Sequence, residues 1–310
     1  MLQNRAVSSF PKEFKDIDKS STGVLMERQF GCPFDKTEFT APGLKTKALQ
    51  TQTDDFYLTK YTEAIGDRTY IDYSLFDIKI CPACLYANRD SGFRIYDSIN
   101  KSWREPRELT ISEKYVEAMN EGVGRRFRIA AQAGLKGHRL FSAERTLEDA
   151  VIAASLAVDF VATLLTVAPA NEKAGLLYLK GLFHIQMSQC YHKIELLSPK
   201  DSAQLHQDFR FASLSVAMDA FNELENSLMQ DKYFQGLHKI MLYYYQKLVV
   251  SEFIGDKKTF DASRQVIRKY YGDYCLGMGK GTEDEKKAAK LFFDAIDEGA
   301  RQYDQTRSLA

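Results

Sequence analysis

Cys81-Pro82-Ala83-Cys84 is a C-x2-C turn, and two thiolates at this spacing can share one tetrahedral metal ion. An earlier turn, Cys32-Pro33-Phe34-Asp35, opens the same way and ends on a carboxylate instead of a second thiol. Three thiolates and one carboxylate around a divalent ion leave the same formal charge as four thiolates, and aspartate is an allowed if uncommon zinc ligand. The expected metal ligands are therefore Cys32, Asp35, Cys81 and Cys84, holding Zn2+ in a structural role. All five histidines lie after residue 137. Local alternatives for the fourth position are thus Glu38 or water, and loss of the metal altogether is the competing reading.

A dithiol redox role for Cys81 and Cys84 needs a helix starting at the motif, which "LYANRDSGF" does not favour. Cys190 and His192, two apart on an expected helix, do not share a face and suit ordinary packing roles. The odd, sparse set of five cysteines is unlike a secreted disulfide framework and points to a reducing compartment. The charged first residues, "MLQNRAVSSFPKEFKDIDKS", lack an apolar signal segment, so a cytoplasmic location is expected.

Each candidate turn follows a segment that reads as a strand. "TGVLMERQF" runs into Cys32, and "TYIDYSLFDIKI", alternating and then slipping by one residue, reads as a bulged or doubly buried strand running into Cys81. Beyond "KSWREPREL" the period becomes helical. Thr110 to Ala133 reads as one helix, "AGLKGHRLFS" as a glycine-containing hinge, and the remainder as helices of about 15 to 28 residues. Breaks fall near Pro169, Ser198-Pro199, Asp231, Gly255-Asp256 and "YGDYCLGMGKG". The last of these lacks phosphate-loop spacing, and Thr282 with Glu285 forms a capping-box pattern instead. Small-x3-aromatic-x2-small spacing at Ala288, Phe292 and Ala295, and in part at Ala217, Phe221 and Leu224, suggests tetratricopeptide-like helix pairs. Leu177, Lys180, Gly181 and His184 fit the first-helix pattern more weakly.

The expected fold class is α+β: a small zinc-ribbon-like, β-containing N-terminal domain over 1–105, a connecting helix and hinge over 106–141, and an all-α tetratricopeptide-like array over 142–310. The longest apolar run, Val151 to Ala168, has Asp159 at its centre. An aspartate at mid-bilayer costs about 3 kcal/mol, so a helix buried among helices is expected and no membrane span.

These residues resemble a family. "CPFDKTEF" and "CPACLYA", joined by a stretch with "TDDFY" and followed by helices, are similar to the bacterial domain of unknown function 2225. That family looks like two Cys-Pro-x-Cys-Gly knuckles and a tetratricopeptide-like tail. The resemblance places Cys32, Pro33 and Phe39 in the first knuckle and Cys81, Pro82, Cys84, Tyr86 and Ala87 in the second. It implies an architecture and lends no activity. Asp35 replaces a cysteine of the pattern, while Lys36 and Leu85 replace its glycines. Glycine suits a left-handed backbone that costs other residues about 1 to 2 kcal/mol. Distorted knuckles, and with them a lost metal site, are therefore an expectation to set against the intact ligand spacing.

Arg125, Arg126, Arg128, Lys136, Arg139 and Arg145 make the most basic stretch, with Glu144 as its one acid. It could bind an anion, a nucleic-acid backbone or an acidic partner, or it could pair buried acids such as Asp159. With Lys plus Arg and Asp plus Glu equal at 42, no global field favours nucleic acid. No paired acids, Ser-His-Asp set or metalloprotease motif is evident. The expected function is a non-enzymatic, cytoplasmic protein- or peptide-binding scaffold. A nucleic-acid-associated regulator using the ribbon and segment 125–145 is one alternative, and a zinc enzyme with an open coordination position is another.

Overall fold

The structure is a computed structural model. It describes residues 25–44, 49–53, 60–64, 70–72, 75–106, 111–142, 144–226 and 237–275, with single positions beyond these up to 294. The fold is α+β, an antiparallel N-terminal part followed by helices. The chain divides into two compact units, the first comprising 1–54, 58–168 and 186–213 and the second 55–57, 169–185 and 214–310.

In the first unit, β1 (Leu25–Gly31) and β2 (Glu38–Leu44) form a hairpin in which Phe30 faces Phe39 and Gly31 faces Glu38. The strands β3 (Leu49–Thr53), β4 (Lys60–Ala64) and β5 (Tyr70–Asp72) make a separate antiparallel sheet. A second hairpin joins β6 (Ile78–Ile80) to β7 (Ala87–Arg89), with Ile80 opposite Ala87. The next two strands, β8 (Arg94–Asp97) and β9 (Ser102–Arg104), complete a sheet of order β2-β1-β8-β9. The single strand expected over "TYIDYSLFDIKI" is two, β5 and β6, and between them the Leu75 carbonyl accepts from the buried Arg145 guanidinium.

The helix expected from Thr110 to Ala133 is likewise broken. It is α1 (Glu113–Glu121) and α2 (Val123–Ala130), which meet at Gly122, and a 3-10 segment continues over Ala131–Phe141. Ser112 caps α1 by accepting from the Tyr115 N–H. Thr146 and Asp149 form a reciprocal capping box at the start of α3 (Leu147–Leu165).

Aromatic rings join the strands to α3. Phe30, Phe39 and Phe93 pack together, Tyr86 lies 4.7 Å from both Phe93 and Phe160, and Phe34 meets Tyr86 and Phe160. Such edge-to-face groups contribute about 0.5 to 1.5 kcal/mol per pair beyond area burial. Asp159, expected to exclude a membrane span, is buried on α3 and paired with Arg125. Among the described residues no helix is long and apolar enough to cross a membrane.

Two long helices, α4 (Ala170–Leu197) and α5 (Lys200–Glu225), turn at Ser198-Pro199. The part of them in the first unit carries a buried polar group: Arg210 Nη1 lies 2.6 Å from His192 Nδ1 and 3.3 Å from Glu195. Cys190 is also buried here, as befits a packing role.

In the second unit, α6 (Leu237–Ile254) and α7 (Lys257–Cys275) are joined through Gly255, whose φ of 77° lets the chain reverse, and Asp256, which caps α7 by accepting from Thr259. Ala217, Phe221 and Leu224 are all fully buried, and Gly181 is where the Phe221 ring approaches α4. Ala288, Phe292 and Ala295 lie outside the described residues. Of the three consecutive tyrosines, Tyr243 and Tyr245 are buried, and Tyr243 donates to the Phe221 carbonyl at 2.9 Å.

Candidate metal centre

Each Cys-Pro turn closes one of the two hairpins, and the two turns are built alike. In the first, the Cys32 N–H donates to the Thr37 carbonyl at 2.8 Å and the Lys36 N–H to the Cys32 carbonyl at 3.2 Å. In the second, the Cys81 N–H donates to the Tyr86 carbonyl at 2.8 Å and the Leu85 N–H to the Cys81 carbonyl at 3.0 Å. Lys36 and Leu85 adopt φ of 64° and 57°. The left-handed step is therefore kept without glycine, and the expected distortion of the knuckles is not found. Buried aromatic packing holds the turns in place: Phe34 of the first rests on Tyr86, which follows the second.

The two turns bring Cys32, Asp35, Cys81 and Cys84 together, with one ligand atom from each lying within 4.8 Å of the others. Cys32 Sγ is 3.6 Å from Cys84 Sγ, and Cys81 Sγ is 3.4 Å from Asp35 Oδ2. Metal–sulfur bonds of about 2.3 Å, as zinc makes, give a tetrahedron with sulfur–sulfur edges of about 3.8 Å. The spacing thus fits a single ion. Cys32 and Cys81 are buried, Cys84 is half-buried and Asp35 lies at the exposed edge.

The four groups perturb one another strongly. The Cys81 thiol is held down to about 4 by hydrogen bonding with Cys32 and then Cys84. The Cys32 thiol is pushed up by its hydrogen bonds with Cys81 and Cys84 and by burial. In Cys84 the hydrogen bond with Cys32 pulls down, but Cys81 and burial outweigh it and the thiol is raised. Burial works to raise the Asp35 carboxyl, yet the Thr37 N–H, donating at 2.9 Å, and the neighbouring thiols hold it below its usual value. Cys81 Sγ is placed to donate to Asp35 Oδ2 at 3.4 Å, so the thiol and the carboxylate share a proton that a metal ion bound here would displace.

The basic segment serves the interior more than the surface. Arg125 donates through Nε to Asp159 and through Nη2 to Thr163 Oγ1, the latter at 2.6 Å. Arg126 is fully buried and donates through Nε to the Cys84 carbonyl at 2.9 Å. Arg139 Nε lies 3.1 Å from Asp149, and Arg145 is buried against backbone carbonyls. Arg128 is exposed, and the side chain of Lys136 lies outside the described residues. The sequence allowed Arg126 either a surface patch or a pairing with buried acids such as Asp159; its contact with Cys84 had no local signal. Phe93 and Phe160, which back the knuckles, were not singled out either.

No curated protein and no solved structure matches the chain. A family model described as an uncharacterized protein conserved in bacteria (DUF2225) matches residues 25–184. The match spans both knuckles, their backing helix and more than half of the 310 residues, and the chain belongs to that family.

Proposed function

We propose that the two knuckles hold one structural zinc ion through Cys32, Asp35, Cys81 and Cys84, and that the chain is a non-enzymatic protein-binding protein. The observation that carries the zinc assignment is the clustering of the four ligand atoms within 4.8 Å, with a 3.6 Å sulfur–sulfur edge suited to one tetrahedral ion. Four protein ligands fill the shell and leave no position for a substrate, which favours a structural over a catalytic ion. Metal binding then contributes directly to folding of the N-terminal part, because the thiolates would otherwise compete for protons.

The binding role is supported by the turn between α4 and α5. Leu196, Leu197, Leu205, Phe209 and Phe211 are all large apolar side chains left 38 to 53% exposed within a short stretch. Leu205 and Phe209, four apart on α5, share a helix face, and an exposed apolar pair of this kind supports a contact surface.

Metal analysis of anaerobically purified protein tests the zinc assignment. One zinc per chain is expected, lost in Cys81→Ser; metal-free wild-type protein refutes it. For the binding role, wild-type protein should retain a defined partner that a Leu205→Asp/Phe209→Asp variant of unchanged circular dichroism does not. Equal retention by both removes that surface from consideration.

A further inference from the structure

The centre as assigned above is not electrically neutral. A divalent ion with three thiolates and a carboxylate has a net charge of −2, and Cys32 and Cys81 are buried. A buried charge without compensation is strongly destabilising. We propose that Arg126 is the buried counter-charge of the metal centre and the positioning residue for its second knuckle; this rests on the zinc assignment.

Arg126 is 0% exposed, and its guanidinium is spent on the knuckle and its own helix pair. Nε donates to the carbonyl of Cys84, itself a ligand, at 2.9 Å, while Nη2 donates to the Met119 carbonyl and Nη1 lies 3.8 Å from the Met119 sulfur. The acid paired with it among the described residues is Asp159, 4.0 Å from Nη1. Asp159 is already bonded to Arg125, and its Oδ2 has no hydrogen-bond partner among the described residues. One carboxylate between two guanidinium groups leaves a single positive charge. That charge is directed at the ligand residue Cys84.

Gly122 supports the same assignment. Its φ of −77° is open to any residue, so backbone freedom does not explain the glycine. A Cβ there would come within 2.8 Å of Arg126 Nη1. The absence of a Cβ at Gly122 therefore leaves the space that the guanidinium occupies. A hydrogen bond to the carbonyl of a ligand residue fixes the backbone carrying the thiolate, and losing such an outer contact typically weakens metal binding by about 10- to 100-fold.

The test is zinc affinity by competition with a chromogenic chelator, on the full chain, for wild type, Arg126→Met, Asp35→Asn and the double variant. Arg126→Met should weaken binding by roughly 10- to 100-fold in the wild-type background. In the Asp35→Asn background, where the centre carries one negative charge fewer, the same substitution should cost a clearly smaller factor. A role in packing alone predicts equal factors in the two backgrounds, and that result, or unchanged affinity of Arg126→Met, overturns the proposal. If Arg126→Met does not fold, Gly122→Ala displaces the guanidinium while keeping it. Reduced affinity is then expected, and wild-type affinity overturns the proposal. Wild-type protein that binds no zinc refutes the metal assignment and this inference together; normal zinc binding that is indifferent to Arg126 refutes only the counter-charge.

Discussion

Lys36 and Leu85 hold the same left-handed backbone, φ 64° and 57°, at the same step of two turns, directly after Asp35 and Cys84. Their side chains differ in setting. Lys36 is exposed, with its ammonium donating to the Pro33 carbonyl at 3.1 Å, whereas Leu85 is 2% exposed. Returning glycine to the two positions should therefore give opposite results. Lys36→Gly relieves backbone strain of about 1 to 2 kcal/mol and loses one surface hydrogen bond, for a net gain of about 1 kcal/mol. Leu85→Gly relieves the same strain but removes a buried leucine worth about 2 to 5 kcal/mol, for a net loss. Thermal unfolding of both variants in the same metal-loaded state checks this. A rise in Tm for Leu85→Gly would show that its side chain contributes less to packing than the backbone strain it imposes, about 1 to 2 kcal/mol.

The ligand at position 35 gives a second prediction. Asp35→Cys places a fourth thiolate where the carboxylate meets Cys81, without altering the left-handed step that follows it. In cobalt-substituted protein the sulfur-to-metal charge-transfer absorption should grow by about a third, in proportion to the thiolate count, and affinity should rise on the order of tenfold with the softer ligand. An unchanged spectrum would show that position 35 does not face the ion.

How far the sequence carries can be judged from these same positions. The repeated Cys-Pro openings and the strands running into them were enough to pick out Cys32, Asp35, Cys81 and Cys84 as a group, and the structure brings these four together. Helical periodicity likewise marked the long helices and the turns at Ser198-Pro199 and Gly255-Asp256. What could not be read were arrangements set by distant partners. The pairing of the basic stretch with Asp159 is among the sequence readings, and Arg125 makes it, but the bond from Arg126 to the Cys84 carbonyl, 42 residues away, has no local signal. "TYIDYSLFDIKI" reads as one strand, yet it forms two, and the contact of Leu75 with Arg145, 70 residues later, is equally invisible to a local pattern. The missing glycines suggested distortion because propensity weighs the residue alone. The paired backbone hydrogen bonds and the aromatic packing around Phe34 and Tyr86 outweigh a cost of about 1 to 2 kcal/mol per turn.

Glu252 on α6 makes stability depend on pH. Burial pushes its carboxyl from 4.5 up to about 7, and its Oε2 has no hydrogen-bond partner among the described residues. The folded-state pKa is raised, so the folded chain holds this proton more tightly than the unfolded chain. Below about pH 4.5 both states are protonated and the group costs nothing; the cost grows between 4.5 and 7 and is fully present above 7. Its full size is about 3 kcal/mol. Glu252→Gln should therefore stabilise the protein at pH 8 by about 1 to 3 kcal/mol and leave it nearly unchanged at pH 4.5. Denaturant unfolding at the two pH values measures the difference, and an equal effect at both would show that ionisation of Glu252 is not the cause.

Gly181 tests the packing of the second unit. A Cβ at this position would stand 2.2 Å from Cε1 of the Phe221 ring. That ring cannot easily yield, since Phe221 is fully buried and packs edge-on to Tyr243 at 5.7 Å, with Tyr178 at 6.1 Å. Helix propensity works in the opposite direction, favouring alanine over glycine by about 1 kcal/mol inside a helix such as α4. Overpacking of a well-filled core costs about 1 to 3 kcal/mol and should prevail, so Gly181→Ala is expected to lower stability by about 1 to 2 kcal/mol. A Gly181→Ala/Phe221→Leu double variant separates the two effects. If the ring is the obstacle, alanine should be much less harmful, or even favourable, once Phe221 is shortened. If Gly181→Ala costs the same with leucine at 221, the loss arises elsewhere in the helix and the close approach of Gly181 and Phe221 is not what selects glycine.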